Sequence, residues 1–95
     1  MTEIRDSRVL ITGAARGMGR RMAERFADLG AEVGLVDIDE DQLEKTTDEL
    51  ERRGMMVRSF VCDLSERQNI VDLREEVLEN FGRIDILVNN AAVDA

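Results

Sequence analysis

Four short runs of mostly branched apolar residues punctuate the chain, at Val9–Ile11, Val33–Val36, Val57–Cys62 and Ile84–Val88. Runs this short and this continuous fit strands buried on both faces of a parallel sheet, where neither face meets water. Parallel neighbours need long crossovers, and each gap between the runs has the spacing of an amphipathic helix. The first gap places Met18, Met22, Phe26 and Leu29 on an inward stripe and stops at Gly30. The second, "DIDEDQLEKTTDELERRG", opens in acid and closes on Arg52, Arg53 and Gly54, so both ends complement a helix dipole. Its apolar stripe is thin: Leu43 and Leu50, with Thr46 or Thr47 between them. The third opens "SERQ", where Ser65 and Gln68 form a capping box, turns Ile70, Leu73, Val77 and Phe81 inward, and stops at Gly82.

The order is therefore β-α-β-α-β-α-β. Right-handed crossovers step the sheet one way from the first strand, and the third helix returns on the opposite face. The expected strand order is 3-2-1-4, an α/β, doubly wound parallel sheet of Rossmann type, present in part. Its topological switch point lies between strands one and four, where a ligand is expected at the carboxyl ends.

Composition narrows the classes of partner. With 21 acidic against 13 basic residues the net charge is −8, which argues against a nucleic-acid backbone. The single cysteine, Cys62, excludes an internal disulfide, and with no histidine in the chain there is no Cys/His cluster for a metal. Cys62 reads as a small core residue inside the third strand. The N-terminus "MTEIRDSR" is polar, so neither a signal peptide nor a membrane span is expected, and the location expected is cytoplasmic. At 95 residues one domain is the upper bound.

At the switch point stands "TGAARGMG", Thr12 to Gly19. Small residues after a strand let the backbone turn sharply and approach a phosphate, and the following helix aims unpaired N–H groups at it. Arg16, Arg20 and Arg21 add positive charge. The same glycines also suit a tight turn that only packs helix on strand. A Walker loop fails, because Met18 stands where its second glycine belongs and no Lys-Ser/Thr follows. The G-x-G-x-x-G/A fingerprint fails too, since Met22 ends it. What is present is T-G-x-x-x-G-x-G. The second strand ends on Asp37, near the distance at which dinucleotide folds place an acid on the adenosine ribose. Such a carboxylate accepts from both ribose hydroxyls and repels a 2′-phosphate, favouring NAD over NADP, whereas Arg16 leans toward a 2′-phosphate. Asp37 equally fits an acid at the start of the second helix.

Thr12-Gly13-Ala14-Ala15-Arg16-Gly17-Met18-Gly19, Asp37, Asp63-Leu64 and Asn89-Asn90-Ala91-Ala92 appear in one order over essentially the whole chain. Together they resemble the short-chain dehydrogenase/reductase family. The resemblance implies a truncated NAD(P)-binding Rossmann domain over residues 1–95. Gly13, Arg16, Gly17, Met18 and Gly19 would line the cofactor phosphates and adenosine. Asp37 would hold the ribose, Asp63 and Leu64 would meet the adenine, and Asn89, Ala91 and Ala92 would flank the cofactor. The family usually has glycine where Ala92 stands, so a methyl group is expected to crowd the approach there. Asn89 and Asn90 also suit a plainer task, satisfying backbone groups at the strand end.

The family's hydride transfer between a nicotinamide and an alcohol or carbonyl uses a tyrosine, a lysine three residues on, a serine and a further asparagine, all beyond strand four. This chain has no tyrosine and no histidine, and its one lysine, Lys45, sits mid-helix among charges. The expectation is cofactor binding without catalytic residues. A stand-alone nucleotide-binding or interaction module is the alternative; a receiver-like domain would need acids after strand one, where glycines stand. Strand four, "IDILVNN", would be an apolar open edge through which the chain self-associates.

Overall fold

A computed structural model describes residues 4–91. The elements are β1 (Arg8–Thr12), α1 (Gly17–Asp28), β2 (Glu32–Asp37), α2 (Glu40–Arg52), β3 (Val57–Val61), α3 (Arg67–Phe81) and β4 (Ile86–Val88). All pairings are parallel and the order is β3-β2-β1-β4, as the alternation of runs predicts. The register lines up Leu10 with Gly34 and Leu87, and the chain leaves all four strands along one rim of the sheet.

Both faces of the sheet are apolar, as double coverage demands. Val9, Ile11, Val33, Leu35 and Val57 pack on one face with Leu43 and Leu50 of α2 and Ala23 of α1. Leu10, Val36 and Phe60 pack on the other with Leu73, Val77 and Phe81 of α3. Gly34 has no side chain because that space is taken: a Cβ there would lie 2.8 Å from Leu10 and 3.0 Å from Phe60. The vacated volume lets Phe60 and Phe81 meet edge to face at 5.8 Å.

Four local expectations are corrected. On α1 the buried stripe is the small one, Gly19 and Ala23, with Met22, Phe26 and Ala27 half-buried; Met18 and Leu29 are exposed. Small residues let helix and sheet backbones approach closely, so Met22 and Phe26 pack at the edge of the core while Met18 and Leu29 point to solvent. On α3, Leu73, Val77 and Phe81 are buried but Ile70 is exposed, facing a groove beside β4. The Ser65–Gln68 capping box does not form. Ser65 donates both its N–H and its hydroxyl to Asp63 Oδ1, at 3.0 and 2.6 Å, so Glu66 becomes the N-cap and makes no side-chain cap bond. An aspartate two residues away closes an Asx turn before the helix can recruit the serine. Finally, Ile84 and Cys62 lie outside the strands, although Cys62 is buried as expected. β4 begins only after Asp85, whose N–H donates to the Arg8 carbonyl and whose carboxylate accepts the Arg8 N–H, each at 2.8 Å.

Those acids link the fold to pH. The Arg8 backbone N–H, and then Arg83, hold the Asp85 carboxyl below the ordinary carboxylate range; the Ser65 hydroxyl and N–H do the same for Asp63. A carboxylate depressed in the folded state stabilises fully above its unfolded pKa, and that contribution disappears as pH falls through the lower folded value. Thermal denaturation is therefore expected to show a falling Tm below about pH 4, and Asp85→Asn should flatten that fall. An equally steep acid limb in the variant would contradict the assignment. Among the described residues no helix is long and apolar enough to cross a membrane.

Candidate functional site: the rim of the glycine loop

Thr12 ends β1 and ties the rim to β4. Its hydroxyl donates to Asn89 Oδ1 (3.1 Å) and accepts the N–H groups of Asn90 (2.9 Å) and Ala91 (3.0 Å). Asn90 returns the tie by donating Nδ2 to the Gly13 carbonyl at 3.2 Å. The plainer reading of these asparagines holds for Asn90: it satisfies backbone at the strand end. Gly13 itself, at φ +64°, passes so close to β4 that a Cβ would lie 3.1 Å from the Ala91 Cα.

The loop between β1 and α1 is pinned from the other side as well. The Ala14 N–H donates to the Val36 carbonyl at 3.1 Å, and the Ala15 N–H donates to Asp37 Oδ2 at 3.0 Å. The Ala15 carbonyl accepts the hydroxyl of Thr46, a fully buried residue of α2. Gly19 completes the knot. A Cβ at that position would fall onto the Gly13 carbonyl oxygen and 2.8 Å from Asn90 Nδ2. So the close approach that two of the three glycines permit is of the chain to itself.

Gly17 is different. It has φ +61°, it is exposed, and a Cβ built on it meets nothing within 4 Å. It opens α1, whose N-cap Arg16 makes no side-chain cap bond and whose first turn carries no acid. The orphan amides of that turn and the positive end of the dipole are thus left to whatever approaches from outside. Loop, helix start and strand ends form a cradle with room at Gly17, which fits an anionic group such as a diphosphate.

Asp37 stands beside this cradle. Its Oδ1 accepts the N–H of Asp39 at 3.0 Å while Oδ2 holds Ala15. A carboxylate offers about four lone-pair sites, so two remain for ligand hydroxyls. Asp37 is not the helix-start acid: Asp39 is the N-cap of α2 and accepts the Gln42 N–H at 3.2 Å. Arg16 pairs with Asp39. Arg20 is engaged elsewhere, with Glu49 at 2.8 Å and Glu24 at 3.1 Å, and Arg53 also holds Glu24. Burial pushes the Glu24 carboxyl up, but Arg20 and Arg53 together outweigh it and keep the group below its ordinary range.

Past β3, the Cys62 N–H donates to the Asp37 carbonyl at 3.0 Å, so Asp63 is delivered next to the β2 terminus. Ile38, Val61, Cys62 and Asp63 line one side of a depression of about 330 Å³, with Asn69 and Leu73 of α3 opposite. Leu64 is half-buried against the α3 core and lines a separate groove on the β4 side. Met18 turns its side chain to a shallow groove along α1 with Met22, Phe26 and Ile4, so its main chain is what the loop presents. Ala92 lies outside the described residues. Gly13, Gly17, Gly19, Asp37, Asp63, Asn89 and Ala91 thus share one rim, with Arg16 across Asp37.

Spacing and motif alone do not mark Thr12, Thr46 and Asp39 as site residues. Thr46 had a visible signal: a hydroxyl on the buried stripe between Leu43 and Leu50 needs a partner.

Compared with known proteins, residues 7–95 match the family model of short chain dehydrogenases. The chain belongs to the short-chain dehydrogenase family. It is 40% identical over 98% of its length to a CLA biosynthesis dehydrogenase/reductase of Lactiplantibacillus plantarum, of which it covers 32%. A short chain dehydrogenase/reductase from Burkholderia phymatum, crystallised with NAD, superposes on the whole chain with TM-score 0.92 and 39% identity, over 34% of that protein. A metagenomic short-chain oxidoreductase in complex with NADP superposes on 97% of it with TM-score 0.88 and 36% identity, over 42% of that protein. The chain spans about a third of the length of the curated short-chain dehydrogenases it matches, corresponding to their NAD(P)-binding N-terminal portion.

Proposed function

We propose that residues 1–95 form the cofactor-binding domain of a short-chain oxidoreductase and that the cofactor preferred is NAD. Gly13, Gly17, Met18 and Gly19 would hold the diphosphate on main-chain amides, with Arg16 beside them. Asp37 would accept from the adenosine ribose, Asp63 and the main chain of Leu64 would border the adenine, and Asn89, Ala91 and Ala92 would flank the nicotinamide end. When bound, the nicotinamide supplies a hydride acceptor or donor for an alcohol–carbonyl pair. This chain's own residues bind and orient it. The observation that carries the reading is the junction of an uncapped α1 start with the Asp37 carboxylate through the 3.0 Å Ala15 bond. It gives one crevice both an anion cradle and a diol acceptor.

Asp37 supports NAD over NADP because a carboxylate facing a 2′-phosphate repels it. Isothermal titration should show the chain binding NAD⁺ more tightly than NADP⁺, without carbonyl reduction by NADH, since no tyrosine or histidine stands by to move a proton. Equal affinity for both dinucleotides, or no heat from either, would contradict the reading.

The reading includes self-association in the cytoplasm. Among the described residues β4 pairs with β1 alone, which leaves its outer edge open, and Leu87 beside it is 61% exposed. A second copy's edge offers matching N–H and C=O groups. Sedimentation equilibrium should show a dimer or larger species, and a monomer at high concentration would refute it.

A further inference from the structure

The Arg16–Asp39 pair joins the start of α1 to the start of α2, directly across Asp37. Arg16 follows Ala15, whose N–H is held by one oxygen of Asp37, and the Asp39 N–H is held by the other. The guanidinium is therefore parked at the ribose-facing side of the crevice, with its charge spent on a neighbour. Its side chain is 65% exposed and that of Asp39 42%, so the pair is open to solvent and breakable by a competing anion. Asp39 also has a second task, capping α2 through Gln42.

Resting on the NAD-binding reading above, we infer that Asp39 is a specificity-determining residue that keeps Arg16 away from a 2′-phosphate. The chemistry is competitive. A 2′-phosphate brings close to two negative charges and three acceptor oxygens, which a free guanidinium grips in a bidentate fork. With Asp39 in place that phosphate must displace a carboxylate from Arg16 while still facing Asp37. A 2′-hydroxyl meets neither obstacle. Asp37 thus selects the diol, and Asp39 engages an arginine that would otherwise reward the phosphate.

Asparagine caps a helix as well as aspartate does, so Asp39→Asn removes the charge and keeps α2 intact. Isothermal titration with NAD⁺ and NADP⁺ on the full chain should show the NADP⁺/NAD⁺ affinity ratio rising about tenfold in Asp39→Asn. Asp39→Ser, another good cap, should rise similarly. In the double variant Asp39→Asn with Arg16→Ala the ratio should return to near the wild-type value, because the gain acts through the guanidinium. A gain that survives the loss of Arg16 would overturn the inference in favour of plain charge repulsion, and an unchanged ratio in Asp39→Asn would overturn it outright. Wild-type chain that binds neither dinucleotide would instead refute the cofactor reading on which it rests.

Discussion

Gly19→Ala is expected to lower the stability of the chain and to abolish its dinucleotide binding together, although alanine is the better helix former. In an exposed helix interior the exchange would gain up to about 1 kcal/mol from propensity and chain entropy. Here the new Cβ would land on the Gly13 carbonyl and within 2.8 Å of Asn90 Nδ2. Neither neighbour yields easily. The carbonyl belongs to a loop fixed by Val36, Asp37 and Thr46, and Asn90 is anchored through Thr12. Overpacking of this kind costs about 1–3 kcal/mol, so the net sign is destabilising. Because the strain falls on the cradle itself, NAD⁺ affinity should drop by more than about tenfold at temperatures where the variant is still folded. Gly17→Ala is the control. It meets no atom, pays about 1–2 kcal/mol for its positive φ, and places a methyl on the outer side of the cradle. Its binding should suffer more than its Tm. Urea unfolding and calorimetric titration of both variants check this, and a Gly19→Ala chain more stable than wild type would contradict the packing argument.

Asp37→Asn is expected to have the second large effect, on selectivity. The amide oxygen can still accept the Ala15 N–H, so the loop keeps its anchor, while the charge and one acceptor are lost. Hydrogen bonds to an ionised acceptor contribute about 1.5–3 kcal/mol. NAD⁺ should weaken by about tenfold or more. NADP⁺ should weaken far less or improve, since the group repelling its 2′-phosphate is gone. Parallel titrations decide it: equal losses for the two cofactors would reduce Asp37 to a structural anchor.

The topology was legible because its cause is written in one dimension. Branched runs at fixed intervals, separated by crossovers that must be right-handed, leave little freedom, and the 3-2-1-4 order follows. The landmarks at Gly13–Gly19, Asp37 and Asp63 were legible for a similar reason: each sits where a strand ends, so topology gathers them on one rim. What escaped were choices between neighbours. Sequence spacing cannot rank the Met18–Met22–Phe26 stripe against Gly19–Ala23, because which one faces the sheet depends on how closely the backbones approach. Ser65 could cap α3 or serve Asp63, and the shorter reach won. Asp37 and Asp39 are two acids in an acidic stretch, and only the positions of Ala15 and Gln42 separate the loop anchor from the helix cap. Thr12, whose hydroxyl holds three partners across to β4, carried no mark beyond its place before Gly13.

The central claim is that one crevice, from the α1 start to the tip of β2, receives a dinucleotide. Amide NMR spectra of the isotope-labelled chain titrated with NAD⁺ test it most directly. The account predicts saturable shifts concentrated at Gly13–Gly19, Asp37–Asp39, Cys62–Leu64 and Asn89–Ala91, with the outer faces of α2 and α3 unmoved. Saturable shifts confined to another surface, or none at millimolar NAD⁺ with the chain folded, would contradict it.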